Sequence, residues 1–290
     1  MKKPLHFGTL VALLALALGA AGDRVRFTGG TFRTAREAQD ETTDEAGRTP
    51  TWTNDPVFKR DVFTFTRVEY MVDSTYGYGH SGTMRWSIDF PDSDLNFSWR
   101  LQQVTSLKVD PDGRVLKLTD KELFDHPFLY IVEPGRLRFR EEELPILRRY
   151  LLNGGFLMFD DFWGDIEWGN FETEMKRLFA DRPIEDLPLE HPIFHSVVDL
   201  QEKPQVPGIN WLKYYLSRGT TYEFKEPGSE TVHYRAIFDD KRRMMVMICH
   251  NTDLGDGWER EGQNEDYFHI FSEKKAYPMG INILVYAMTH

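Results

Sequence analysis

Cysteine is nearly absent: Cys249 is the only one in 290 residues. One thiol closes no internal disulfide and cannot furnish the cysteine clusters of structural zinc sites, so both scaffold types are excluded and stability must come from packing. Positive charge is also scarce. The 35 Lys+Arg residues face 46 Asp+Glu, a formal charge of -11, which disfavours a broad nucleic-acid surface. Long apolar runs are confined to the first residues, and no later segment offers the roughly 20 apolar residues that a bilayer span needs. No Walker pattern occurs, and nucleotide binding is not expected.

At the N-terminus Lys2 and Lys3 precede the apolar run Leu10 to Leu18, followed by Gly19, Ala20, Ala21 and Gly22. This is the layout of a secretory signal, so residues 1–22 read as a cleaved export peptide and the mature protein as periplasmic or otherwise exported. Loss of Lys2 and Lys3 would move the charge from -11 to -13. No cysteine stands at the boundary to carry a lipid. Residues 23–61, rich in Thr, Arg, Glu and Asp with no sustained apolar period, read as a polar, irregular lead-in.

What is present suits a substantial core, at 41% hydrophobic and 14% aromatic residues. Val62 to Met71 alternates aromatic and β-branched residues with Thr, Arg and Glu, a strand pattern. Tyr76 to Gly82 reads as a flexible aromatic loop. A helix start falls at Pro91 to Asp94, ahead of Leu95, Phe97, Trp99 and Leu101, while Ser106 to Leu118 reads as a hairpin around Asp110 to Gly113. Phe128 to Val132 is a buried strand, Leu144 to Leu151 a helix stopped by Asn153, Gly154 and Gly155, and Phe156 to Phe159 the next strand. Phe171, Met175, Leu178 and Phe179 mark another helix, His233 to Phe238 and Met244 to Cys249 a charged-turn hairpin, and Met279 to His290 a C-terminal helix. Strand, helix, strand and helix in succession predict one α/β domain over residues 62–290, a three-layer flavodoxin-like fold with a mainly parallel central sheet.

These segments also resemble a known family. FTFTRVEY (Phe63 to Tyr70), DFPDSDLNFSWRLQQVTS (Asp89 to Ser106), HPFLY (His126 to Tyr130), LRRYLLNGGFLMFDDF (Leu147 to Phe162), HPIFHSV (His191 to Val197), HNTDLGDGWE (His250 to Glu259) and GINILVYAMT (Gly280 to Thr289) together resemble the bacterial domain of unknown function numbered 4159. The resemblance implies a three-layer α/β domain related in fold to class I glutamine-amidotransferase-like domains, often behind an export signal, and supplies no established reaction. An amidotransferase needs a Cys nucleophile at a strand-to-turn elbow. Asp160 and Asp161 occupy that place and Cys249 ends the run MMVMIC, so this activity is disfavoured.

Candidate ligand residues follow from residue type and position. Asp160 and Asp161 stand just beyond an apolar strand, where ligand crevices open in parallel sheets, or else serve as local caps. Asn251, Asp253 and Trp258 form a second polar cluster that can orient a polar ligand or simply shape a loop and plug the core. Arg67 interrupts an apolar strand and must either clamp an anion or pair with Asp89, Asp94 or Asp160. Asp94 and Asn96 divide between ligand and cap, and His191 between base and satisfied loop residue. Glu190, His191, Asn251, Asp253 and Asp256 are the companions a hard metal would use, but their spacing gives no convergence, so neither metal nor cofactor is assigned. Two functions follow: an exported noncatalytic binding or assembly module for a protein or cell-envelope polymer, or a carboxylate-dependent hydrolase at the sheet's C-terminal edge, with Asp160 or Asp161 as base and Arg67 or His191 stabilising charge.

Overall fold

The computed structural model describes residues 32–42, 48–58, 61–72 and 85–290; the signal reading, the start of the lead-in and the aromatic loop Tyr76 to Gly82 lie outside them. Strands form where the chain is apolar on both faces. β5 (Phe128–Val132), β6 (Phe156–Asp160) and β9 (Met244–His250) are buried along their whole length, as expected of central strands in a sheet covered on both sides. They join β2 (Thr66–Val68), β4 (Arg114–Leu116), β7 (Glu185–Asp186) and β8 (His233–Phe238) in a seven-stranded sheet ordered β4-β2-β5-β6-β9-β8-β7. β8 and β7 are antiparallel additions at one side; the other pairings are parallel. In chain order the parallel strands stand second, first, third, fourth and fifth, the flavodoxin-like order, whose ligand crevice opens between the carboxyl ends of the first and third strands, here β2 and β5.

Helices α2 (Asp92–Val104), α6 (Leu254–Glu259) and α8 (Tyr277–Thr289) pack together, and α3 (Glu143–Leu152) and α4 (Gly164–Leu178) make another packed pair. Alternation along β5 splits the core accordingly: Phe128, Tyr130 and Val132 join Phe97, Trp258 and Met279 in one large cluster, while Leu129 and Ile131 are turned from it. α3 stops at Gly154, whose φ of 111° is one that a side chain rarely tolerates. No helix among the described residues is long and apolar enough to cross a membrane.

Two expectations are corrected. Ser106 to Leu118 is not a hairpin. Short β3 (Lys108–Val109) pairs in parallel with β1 (Val62–Phe63), and β4 pairs in parallel with β2. Both halves therefore run the same way, and Asp110 to Gly113 is a jog lying against Thr64 and Phe65. The lead-in is not simply irregular either: α1 (Ala35–Thr42) buries Ala35, Ala38 and Gln39, and Gln39 donates to Asp92 at 2.9 Å. Small residues supply that face, so hydrophobic periodicity does not reveal it.

Candidate functional site

The site begins with how the chain leaves its strands. Arg67, fully buried in β2, spends its donors inside the protein. Its Nε–H meets Asp94, Nη1 reaches the Trp86 and Ile88 carbonyls at 2.8 and 3.0 Å, and Nη2 reaches Ser93 Oγ at 2.8 Å and Asp94 at 2.5 Å. These bonds pin the segment before α2, which contains Asp89 and the cis Phe90–Pro91 bond, onto the carboxyl end of β2. Asp89 has φ 61°, and so do the turns beyond the next strands: Glu133 after β5 at 47°, Asp161 after β6 at 56° and Asn251 after β9 at 61°. Asp and Asn visit this region at modest cost, Glu less readily.

The turns bring acids together. Asp89, Asp161 and Asp253 each place a carboxylate oxygen within 4.8 Å of the other two, and Asp89, Asp256 and Glu259 do the same. Asp160 lies beneath, accepting from Tyr130 Oη at 3.1 Å and Gly255 N at 2.9 Å. Gly255 leaves room there: a Cβ would fall 2.7 Å from an Asp89 oxygen and 2.9 Å from Tyr130 Oη, displacing one of them. Asp253 caps α6 through the Asp256 N–H at 2.7 Å. Glu223 accepts from Gly208 N at 2.7 Å, and Ile209 N donates to Asp256.

Cations are fewer. Arg85 donates to Glu133 at 2.8 Å and stands 3.9 Å from Glu167. Arg260 pairs with Asp256 at 2.8 Å and Glu259 at 2.6 Å, and Lys225 pairs with Glu223. Burial and mutual repulsion raise several of the acids. Burial, then Glu167 and Asp89 against the opposing Arg85, pushes the Glu133 carboxyl up to about 7. Burial likewise pushes Asp160 up to about 7 despite its two hydrogen bonds. Asp161 and Asp253 are held well above the usual carboxylate range by burial and by neighbouring carboxylates, and Glu259 by burial, Asp89 and Asp256. Such a cluster can share protons for acid–base chemistry. Oxygens spaced this way can also surround a hard divalent cation, with metal–oxygen distances of about 2.0–2.6 Å.

Of the residues picked out by sequence, Asp160, Asp161 and Asp253 meet here. Asn251 stands beside them but is spent: its Oδ1 accepts from Gly164 N at 2.8 Å and its Nδ2 donates to Gly228 and Thr231 carbonyls at 2.7 Å. Arg67 and Asp94 are each other's partners. Asn96 links the Trp258 carbonyl to Thr49, and Trp258 is fully buried with its ring 4.5 Å from Phe97. His191 caps Pro192–Phe194 and lies by Phe238 and Tyr286; Phe238 pairs with Met244 at the amino end of β9, the opposite end of the sheet from the acids. A mechanism joining His191 or Arg67 to Asp161 is therefore ruled out by distance and by saturated donors. Cys249 is buried in β9, its thiol pushed well above its ordinary value by burial and Asp160.

Sequence reasoning passed over Glu133, Glu223, Arg85 and Lys225, and valued Asp89 only as a partner for Arg67. One signal was available: Glu133 follows the apolar strand FLYIV just as Asp160 ends FLMF. A glycine pattern was also overlooked. Gly77, Gly79 and Gly82 have the GxGxxG spacing and lie outside the described residues; among the described residues after them the next α-helix, α2, opens at Asp92.

Fold and edge together define a three-layer α/β domain with a buried cluster of acids at the carboxyl ends of its parallel strands. The chain belongs to the family described as Domain of unknown function (DUF4159), whose model matches residues 64–288. A comparison with curated proteins finds no match.

Proposed function

We propose that the chain is an exported, carboxylate-dependent hydrolase working at this acidic edge on a bacterial cell-envelope polymer. The observation that carries the reading is the backbone: four of the five left-handed non-glycine residues among the described residues, Asp89, Glu133, Asp161 and Asn251, occupy the turns that gather the acids. Strain of this kind persists where the surrounding structure enforces it, and it concentrates at working sites. In the proposed reaction an ionised Asp161 or Asp253 takes a proton from an attacking water. A neighbouring protonated carboxyl gives one to the leaving group, so water adds across the broken bond and the site keeps its proton count. Lys225 and Arg85 replace Arg67 and His191 as the charges that steady the transition state. Export is supported by Lys2, Lys3 and the run Leu10 to Leu18, and kinship with class I glutamine-amidotransferase-like domains by the sheet order.

The test is turnover of a panel of chromogenic 4-nitrophenyl esters and glycosides between about pH 5 and 8, with Asp161→Asn beside the wild type. Turnover that falls about 100-fold or more in a folded Asp161→Asn supports the hydrolase. No turnover with any substrate abandons it for the noncatalytic binding or assembly reading.

A further inference from the structure

Beside the acidic edge lies a surface of a different character. Trp211 precedes α5 (Leu212–Arg218), and its ring meets Phe224 at 4.4 Å and Tyr214 at 5.2 Å; Phe224 also meets Tyr214 at 4.8 Å and Tyr222 at 6.3 Å. The rings pack largely on one another, and Phe224 stays 45% exposed, with Leu216 nearby in α5 at 58%. Scattered exposed apolar residues mean little, but clustered aromatics mark a contact surface. The patch also departs from the acidic character of the whole chain. Lys213 and Arg218 stand 5.0 and 5.8 Å from the Tyr214 ring, and Lys225 stands 5.9 Å from Trp211.

One strip of chain joins this surface to the acids. Tyr222 and Phe224 supply rings, while Glu223 between them accepts from Gly208 N, and a Cβ on Gly208 would lie 3.4 Å or less from oxygens of Glu223, Asp256 and Asp253. Lys225 next to Phe224 pairs with Glu223. The rings and the acids thus share the segment Tyr222 to Lys225.

We propose that Trp211, Tyr214, Tyr222 and Phe224 form a stacking platform for an anionic polysaccharide, with Lys213 and Arg218 meeting its carboxylate groups. Sugar rings offer apolar C–H faces to aromatic side chains, and uronate carboxylates offer partners to ammonium and guanidinium groups. Binding to the platform stands independently of the hydrolase reading; only cleavage of the bound chain rests on it.

Affinity electrophoresis of the full chain through gels containing polygalacturonate tests it, with dextran, polyglutamate and single-stranded DNA run alongside. Polygalacturonate should retard the protein most. Trp211→Ala and Phe224→Ala should each weaken retardation about tenfold, the equivalent of about 1.4 kcal/mol, and the Lys213→Ala/Arg218→Ala pair should reduce its salt dependence. Phe224 is exposed enough for its variant to keep the fold, which circular dichroism checks. Equal retardation by polyglutamate would reduce the patch to charge alone, preference for DNA would assign it to nucleic acid, and either result, an undiminished Phe224→Ala, or no retardation by polygalacturonate overturns the proposal. Retardation without turnover removes the hydrolase and leaves the platform, whereas turnover of chromogenic substrates without retardation does the reverse.

Discussion

Arg67 with Asp94, and Asp89 with Asp161 and Asp253, are buried polar groups that share the segment entering α2, yet one pairs opposite charges and the other gathers like ones. Around Arg67 the nitrogens find Asp94, Ser93 and two carbonyls, and the ion pair is fully enclosed. Around Asp89 the described neighbours are largely carboxylates, and burial with their mutual repulsion raises Glu133, Asp160, Asp161 and Asp253 above the usual carboxylate range. A guanidinium enclosed with its counter-charge needs nothing further, whereas gathered carboxylates repel one another unless a proton or a cation sits among them. The ion pair also serves the acid cluster, since the same guanidinium that binds Asp94 fixes the carbonyls just ahead of Asp89.

The sharpest way to break this contrast is to remove one acid from each. Asp94→Ala strands a buried guanidinium and should cost about 3–5 kcal/mol in urea unfolding. Asp161→Asn relieves repulsion among carboxylates and should leave stability at pH 8 unchanged or higher. If both variants lose stability equally, the acidic edge is structural in the same sense as the ion pair, and the distinction fails.

A second effect, on the order of a few kcal/mol, lies in pH. Asp160 keeps its proton up to about 7 when folded, against an ordinary value of about 3.9 in the unfolded chain. Between those values the folded state binds the extra proton, so this group's contribution to stability is greatest below about pH 4 and is lost as pH rises to about 7. His250, held neutral down to about 3 by burial and Arg235, runs the other way, losing stability as pH falls below its unfolded value. It cancels when wild type and Asp160→Asn are compared. The variant should match the wild type near pH 4 and exceed it at pH 8; a difference independent of pH would show that Asp160 is ionised in the fold.

The same contrast explains what could be read from the sequence. β5, β6 and β9 are apolar on both faces, and their runs announced central strands without help from distant residues. The Asp-Pro-Asp-Gly turn was misread because local turn chemistry is the same whether the chain reverses or jogs forward; only pairing with Val62 to Val68 decides. Asp160 and Asp161 were legible because they follow a strand. Their partners come from turns near residues 89, 133, 223 and 253, and convergence of that kind is a property of strand order. His191 shows the reverse error, a chemically attractive residue that the fold carries to the far end of the sheet.

The smallest expected effect is the most selective. If the carboxylate triads can surround a cation, a small divalent ion should favour the folded state, while the Arg67–Asp94 pair should not respond. At pH 7.5, MgCl2 at about ten times its dissociation constant should stabilise the protein by about 1.4 kcal/mol, read as a rise in Tm beyond that from NaCl of equal ionic strength. Asp89 belongs to both carboxylate triads, so Asp89→Asn should abolish the rise. The rise should also shrink at pH 5.5, where protons compete for the oxygens. An equal response in Asp89→Asn would place the cation elsewhere on the acidic surface, and the cluster would then be neutralised by protons alone.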